Sequence, residues 1–447
     1  MVIVKDATQQ EIISTLSEHF TYVETERHKE IDELLDFYEG INTEQYVERF
    51  FSSETLKQIP VFSQNLTRRV IKARSMTYKR PPVMNVDDKY SDFSNVADLN
   101  AKRRQLESLT YLLGCMAFRS RWNEDAQKVE YENLTHFEPL FLPYDDKPFG
   151  IAYFVPSYGY SRDEAKDMMV VWTEDRAGVP GKHFGIIEGR KVSFNEGDIN
   201  PYGLLPVVFT HRYPPLRGQF YSANASDVVS ADLHTSIAMT ELALCLRFGA
   251  IGIRYVTGVD DASRIELGVD KLLYLPEGSN FGITGPSASV DQIIDGIKFY
   301  VSATLSNNHL RIKWADSHGN APSGSALRIQ EIENMEERIA TTEDTYRVFE
   351  KKRFEIDRRI IEVQTGQSIS EEYSVDFVEP KMYLDPQEEI NYWTWKFEQG
   401  LDNKMNWYRY NNPDMSDDQI KALIAENQVV EEEPEENQNQ LLNRLRS

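Results

Sequence analysis

Apolar residues recur at helical spacing over most of the chain, and in short alternating or β-branched runs between Trp122 and Phe209. From Gln9 to about Tyr38 the stripe Ile12, Ile13, Leu16, Phe20, Ile31, Leu34, Leu35 and Tyr38 stands among charges and stops at Gly40, which predicts a surface-lying helix. Phe62 to Tyr78 predicts a second helix, basic through Arg68, Arg69, Lys72 and Arg74 and bounded by Arg80-Pro81-Pro82. A polar stretch from Asp87 to Asn95 leads to a third predicted helix, Ala97 to Arg119. Runs such as Ile151 to Val155, Met168 to Trp172 and Phe184 to Ile187, separated by turn formers, predict a mostly antiparallel sheet. Asn200 to Phe209 reads as a turn and a buried strand.

Two further helices are predicted, Ser226 to about Phe248 and Val290 to about His309. Between them Lys271 to Leu275 and Phe281 to Thr284 read as short strands around Pro276-Glu277-Gly278, too little sequence for a core of its own. Turn formers from Arg311 to Gly324 then open a helix without Pro or Gly until Gly366, with Ser323 and Ser325 able to cap its start. Its apolar seam is Ile332, Met335, Ile339, Tyr346, Phe349, Ile356, Ile360 and Val363, with Thr342 and Arg353 filling the gaps. At 1.5 Å per residue this helix spans roughly 60 Å, more than a compact domain needs. It could lie against its own domain, form a coiled coil, or cross a ring-shaped assembly with the loop before it projecting into a central hole. A brief strand at Tyr373 to Val378 comes next. A helix after Asp385 then carries Ile390, Trp393, Phe397 and Leu401, a break falls at Asn411-Asn412-Pro413, and another helix runs from Gln419 to Ala425. Glu431 to Gln440 is acidic and apolar-poor, a composition that predicts disorder.

The 447 residues suit two to four packed units at about 150 residues each. A net charge of −23 opposes tight clasping of nucleic acid but not a surface that DNA slides past. Only Cys115 and Cys245 are present, both in helical apolar contexts, so neither a disulfide framework nor a Cys-based zinc site is expected, and a reducing cytoplasm is. No apolar run reaches membrane-spanning length, and the N-terminus lacks the features of a signal peptide. Neither a phosphate-binding Gly-rich loop nor a dinucleotide fingerprint occurs. His19, His28, His136, His183, His211, His234, His309 and His318 show no zinc spacing, and Ser323-Gly324-Ser325 lacks the frame of a nucleophile elbow. Asp260-Asp261 and Asp417-Asp418 read as solvated turns. No enzyme, cofactor or metal is expected.

The order of these elements resembles the portal proteins of tailed double-stranded DNA bacteriophages. Four groups carry the resemblance: Leu113-Gly114-Cys115-Met116-Ala117-Phe118 ending a helix before the sheet; Asn200-Pro201-Tyr202-Gly203-Leu204-Leu205-Pro206-Val207-Val208 before the Asp227 helix; Pro322-Ser323-Gly324-Ser325-Ala326-Leu327 opening the long helix; and Glu388 to Leu401 followed by Asn412-Pro413. It covers most of the chain, although Trp314 and His318 match no family pattern.

The resemblance implies an α+β portal fold: a mixed, mainly antiparallel wing sheet, long stem and tunnel helices, a small α/β clip and a helical crown. Carried over, the wing is residues 1–222, the first stem helix 223–256, the clip 257–287 and the second stem helix 288–310. The tunnel loop is 311–324, the long tunnel helix 325–366, a wing return strand lies in 367–384, the crown is 385–430, and the tail 431–447. It further implies a dodecameric ring at one capsid vertex in the virion, through which DNA is packaged and ejected. Expected partners are the terminase large subunit, major capsid and scaffolding proteins and head-tail connector proteins, with no membrane. Arg311, Lys313, Trp314, His318 and Asn320 are the expected DNA-facing loop residues. Ser323, Gly324 and Ser325 start the helix, and Lys271, Tyr274, Glu277 and Phe281 form the terminase-docking clip surface. Arg68, Arg69, Lys72 and Arg74 are expected in inter-subunit ion pairs. Two alternatives stand beside this reading: an enzyme acting on DNA or protein with a dispersed active site, and a non-viral ring-shaped adaptor.

Overall fold

The computed structural model describes residues 2–22, 26–52, 59–155, 168–176, 178–216, 219–251, 253–257, 280–284, 290–310, 335–377, 386–412, 415 and 419–425. Two compact units are present, Met1–Gly319 with Glu331–Phe377, and Asn320–Gln330 with Val378–Ser447. Helices and several sheets combine as an α+β chain.

The first unit opens with β1 (Val2–Ile3), α1 (Gln9–Tyr22), α2 (Glu26–Glu39), α3 (Thr43–Glu48) and α4 (Leu66–Arg74). The stripe predicted as one surface-lying helix is thus two helices, and neither merely lies on the surface. Ile12 and Leu16 of α1 are fully buried with Val4, Leu140 and Phe184, while Ile31, Leu34 and Phe37 of α2 enter the main core. Asn65, in the left-handed region, caps α4 by accepting from the Arg68 N–H, and so starts that helix later than Phe62. After β2 (Val83–Asn85), the stretch predicted as merely polar holds α5 (Asp88–Phe93), because the Asp87 side chain caps it.

Helix α6 (Val96–Leu113) ends where Gly114 turns to φ 79°. A side chain there would also run into the Ser222 and Ala223 carbonyls, so both conformation and space require glycine. Strand β3 (Cys115–Asn123) begins at the next residue. The predicted helix to Arg119 is therefore too long, and Cys115 lies in a strand, where burial pushes its thiol up. β-branched and aromatic residues then give β4 (Lys128–Leu134), β5 (Phe137–Phe141), β6 (Gly150–Val155), β7 (Met168–Thr173), β8 (His183–Ile187), β9 (Arg190–Ser193) and β10 (Val207–His211). One sheet has the order β1-β5-β6-β7-β8-β9, antiparallel except for the β1–β5 pair; a second has the antiparallel order β10-β3-β4.

Helix α7 (Ser226–Ile251) runs directly into β11 (Ile253–Thr257), which pairs antiparallel with β12 (Asn280–Thr284) before α8 (Val290–Asn307) packs back on α7. The strand predicted at Phe281 to Thr284 is there, but its partner is Ile253–Thr257, of which residues 253–256 were carried over by the resemblance as the end of the first stem helix. The strand predicted at Lys271 to Leu275 lies outside the described residues.

The helix predicted to start at Ser325 is described from Met335. Residues 335–341 are helical, Thr342–Arg347 form a π turn, and α9 (Val348–Thr365) ends at Gly366 in the left-handed region. A π turn adds a residue to the winding and rotates the helical stretch before it relative to the stretch after it. The predicted single seam is broken accordingly. Ile339 is 54% exposed while Arg338 and Thr342 are buried, and beyond the turn Tyr346, Phe349, Ile356 and Ile360 face the core as predicted. Phe349 meets Phe118 of β3 edge-on at 5.1 Å between ring centres. Arg353, which fills a gap of the predicted seam, is fully buried, and Glu350 and Asp357, outside that seam, are fully buried with it. Strand β13 (Ser374–Asp376) closes the unit by pairing antiparallel with β2.

The second unit contains α10 (Pro386–Glu398), α11 (Lys404–Asn411) and a helical segment at residues 419–425. Trp393 and Ile420 are buried, whereas Ile390 and Leu401 of the predicted helical face are largely exposed. Asn403 caps α11 by accepting from the Asn406 N–H. The tail after Ala425 lies outside the described residues.

Half-buried His183 is expected to make the first unit acid-sensitive. His183 stacks on Trp172 at 3.5 Å, and burial, aided by the nearby Arg119 charge, pushes its pKa down to about 4. The folded state therefore binds fewer protons than the unfolded chain below an unfolded pKa of about 6.5, and stability is lost as pH falls from there to about 4. Denaturant midpoints are expected to fall across that window, and His183→Gln to remove about 1–2 kcal/mol of the pH dependence, after allowance for partial exposure. An unchanged slope in the variant would contradict the assignment.

Candidate functional site

The chain enters and leaves residues 311–334 through a polar joint. After α8 the exit is made by His309, whose φ of 53° lets the Leu310 N–H donate back to the Leu305 carbonyl, a turn usually given to Gly or Asn. Asn308, buried, donates to the Thr304 carbonyl and accepts at 2.9 Å from the hydroxyl of Tyr111 on α6. That hydroxyl in turn accepts from Arg74 Nε at 3.2 Å, and the Arg212 guanidinium lies over the Tyr111 ring at 3.9 Å. On the returning side Glu337 forms an ion pair with Arg74, and its carboxylate lies 3.9 Å from His309 Nε2. Tyr111 thus links the end of one helix to an arginine held by the start of the next.

A cavity of ≈ 30 Å³ lies in this joint, lined among others by Arg74, Glu107, Tyr111, Arg212, Glu337 and Arg338. It has room for one or two waters, with enough polar partners to hold them. Burial raises the pKa of Glu107, and its carboxylate oxygens accept from the backbone N–H groups of Thr77 (2.7 Å) and Tyr78 (2.9 Å). Thr77 contacts Thr342 at the π turn, hydroxyl to hydroxyl, at 3.2 Å.

Tyr78 carries the network inward. Its hydroxyl donates to Glu350 at 2.8 Å, and Glu350 also accepts from Tyr373 at 2.9 Å and from Arg353 at 3.1 Å, and pairs with Arg103. Arg353 pairs with Asp357, which accepts from Tyr90 (2.7 Å) and Tyr131 (2.9 Å). All four charged side chains have no exposed surface. Burial alone would raise the Glu350 carboxyl; the Arg103 and Arg353 guanidiniums reverse this and hold it below its ordinary range. Two cations and two anions make the cluster neutral, which is what permits so complete a burial.

Of the residues singled out from sequence, Arg311, Lys313, Trp314, His318, Asn320, Ser323, Gly324, Ser325, Lys271, Tyr274 and Glu277 lie outside the described residues. Phe281 is in β12 opposite Val256. Arg74, expected between subunits, pairs inside its own chain with Glu337. Arg68, Arg69 and Lys72 are exposed. Tyr111, Arg212, Asn308 and Glu337 were not singled out, because partners separated by tens to hundreds of positions leave no local pattern. Arg353 did leave one: a charge in a gap of an apolar seam, with Glu350 and Asp357 three before and four after it. Among the described residues no group of three or more His, Cys, Asp or Glu side chains is placed to hold a metal ion, and no helix is long and apolar enough to cross a membrane.

No family model matches the sequence, and no curated protein does. Solved structures similar to the chain include a chain of the virion of the native gene transfer agent (GTA) particle, at TM-score 0.38 and 11% identity, covering 78% of this chain and 88% of that one. A chain from the neck of the empty GTA particle, computed with C6 symmetry, gives 0.38 and 12%, over 80% and 93%. One from the neck of the native particle, computed with C12 symmetry, gives 0.37 and 11%, over 80% and 89%. Likeness at this level assigns neither a family nor an activity.

The joint and the cluster are separable by mutation. Arg353→Met leaves buried Asp357 without its cation and Glu350 with Arg103 alone, and is expected to cost about 3–5 kcal/mol in denaturant unfolding. Tyr111→Phe removes one hydroxyl and is expected to cost about 1–2 kcal/mol, with faster amide exchange at residues 308–310 and 335–341 and no change around Glu350. Equal loss of protection at both places would show that they are a single unit.

Proposed function

We propose that the chain is the portal subunit of a tailed double-stranded DNA bacteriophage, one of twelve in a ring at a capsid vertex that serves as the DNA channel. The observation that carries this is the excursion α7–β11–β12–α8. Two packed helices carry a two-stranded sheet, which is marginal by itself in water. Leu246 on α7 and Phe299 and Tyr300 on α8 are 53%, 69% and 46% exposed. Closed cyclic symmetry supplies neighbours for both features at once. The sequence resemblance, whose four groups fall in the same order along the chain, supports the same reading.

In this reading the protein hydrolyses nothing. The terminase large subunit docks on the clip, with Lys271, Tyr274, Glu277 and Phe281 as its surface, and supplies the work; head-tail connector proteins dock later. Capsid and scaffolding proteins surround the ring. The net charge of −23 suits a channel that must not hold DNA, since carboxylates repel phosphate. Arg311, Lys313 and His318 are the cations that keep the duplex centred, Trp314 anchors the loop that also carries Asn320, and Ser323, Gly324 and Ser325 open the helix behind it.

Mass measurement and negative-stain images viewed down the axis are expected to show a large ring with a central hole. A small oligomer with catalytic turnover would sink the proposal in favour of an enzyme. Within the ring, replacing Arg311 and Lys313 together with Ala is expected to alter DNA packaging or retention while leaving rings intact; unchanged packaging would remove the DNA-facing assignment alone.

A further inference from the structure

Helices α3 and α4 carry exposed charges of opposite sign that have no ion-pair partner among the described residues. Arg68, Arg69 and Lys72 of α4 are exposed, and among the described residues none has an ion-pair partner. In a chain with 72 acidic against 49 basic residues, cations left unpaired at consecutive turns of one helix are unusual. Glu44 and Glu48 occupy one exposed face of α3 at a spacing of four and likewise have no ion-pair partner among the described residues.

Each helix is anchored to the body of the first unit. Gly40, φ 73°, packs against the Asn65 side chain, and Asn65 Nδ2 donates to the Tyr38 carbonyl at 3.3 Å while its Oδ1 caps α4. Both helices rest on α7, where buried Asp232 accepts from the Thr67 N–H and hydroxyl at 2.8 Å and Thr240 accepts from the Phe62 N–H at 3.1 Å. In the segments that flank these helices Ile41, Phe50 and Phe62 are 50%, 59% and 45% exposed. Large exposed apolar side chains in the same segments as unpaired charges suit a protein interface.

We infer that α3 and α4 are the two flanks of a contact between neighbouring copies of the chain, in which the α4 cations of one copy face the α3 carboxylates of the next. The inference rests on the ring proposed above and names one of its contacts. Two different patches of opposite sign on one molecule make a head-to-tail contact, the type that closes into a ring. In so acidic a chain, association also needs the cations that are not already paired at home, because like-charged surfaces otherwise repel across the contact.

The test is a charge swap on the full chain, read by mass measurement and electron microscopy. R68E/R69E/K72E and E44K/E48K are each expected to weaken assembly roughly tenfold or more in the concentration required. The chain carrying all five changes restores opposite signs across the contact and is expected to regain rings. Circular dichroism and the unfolding midpoint check that each variant folds; if the α4 variant does not, Phe50→Ser and E44K/E48K carry the same expectation for the α3 side. Unchanged ring assembly in both single-flank variants overturns this contact and leaves the ring proposal standing. Failure of the combined variant, when folded, to restore assembly also overturns it. Loss of binding to a short DNA duplex with assembly unchanged assigns the α4 cations to nucleic acid instead. A wild-type chain that remains monomeric overturns both.

Discussion

Four charges with no access to water, Arg103, Glu350, Arg353 and Asp357, set the terms for the rest of the first unit. A buried charge is tolerable only when neutralised and fully hydrogen-bonded, and each partner here comes from a different part of the chain. Arg103 belongs to α6, Tyr78 to the turn after α4, Tyr90 to α5, Tyr131 to β4 and Tyr373 to the segment before β13. These partners tie α9 to α5, α6, β4 and the segment before β13 at one buried point, although Arg103 Nε and Asp357 Oδ1 are buried without a hydrogen-bond partner among the described residues.

The joint at residues 308–310 and 335–341 depends on that fixed point. From Glu350 the path runs through Tyr78 to the backbone held by Glu107, and through Thr77 to Thr342 in the π turn. The π turn lies between a rigid core helix and a short helical stretch tied down by Arg74 and Arg338. A helix wound uniformly could not present Tyr346 and Arg338 to the same interior and leave Ile339 outside. The described backbone on either side of residues 311–334, at 308–310 and 335–341, is thus fixed by contacts made elsewhere in the first unit.

Charge has two separate roles. Inside, opposite charges cancel within one neutral cluster. Outside, the α4 cations Arg68, Arg69 and Lys72 have no ion-pair partner among the described residues, and large apolar side chains on α7, on α8 and on either side of α3 are exposed.

Much of the fold was legible in the sequence. Local periodicity located α7, α8 and α9, the strands β6, β7 and β8, the turn before β10 and the glycine stop at Gly366, because these depend on backbone propensity and on one apolar stripe at a time. Boundaries set by a single side chain were missed: Asn65 shortened α4, Asp87 created α5, and Gly114 with the Ser222 carbonyl turned a helix into β3. The candidate site was almost illegible, since Tyr111, Asn308, Arg74 and Glu337 are joined by contacts that span long stretches of chain. What the sequence by itself determined was which segments are helices or strands and the overall acidity. Only the tertiary structure decided that Glu350 and Asp357 point inward beside Arg353 and that Ile339 points outward. Whether a charge can be buried depends on partners brought from elsewhere, and no local pattern contains them.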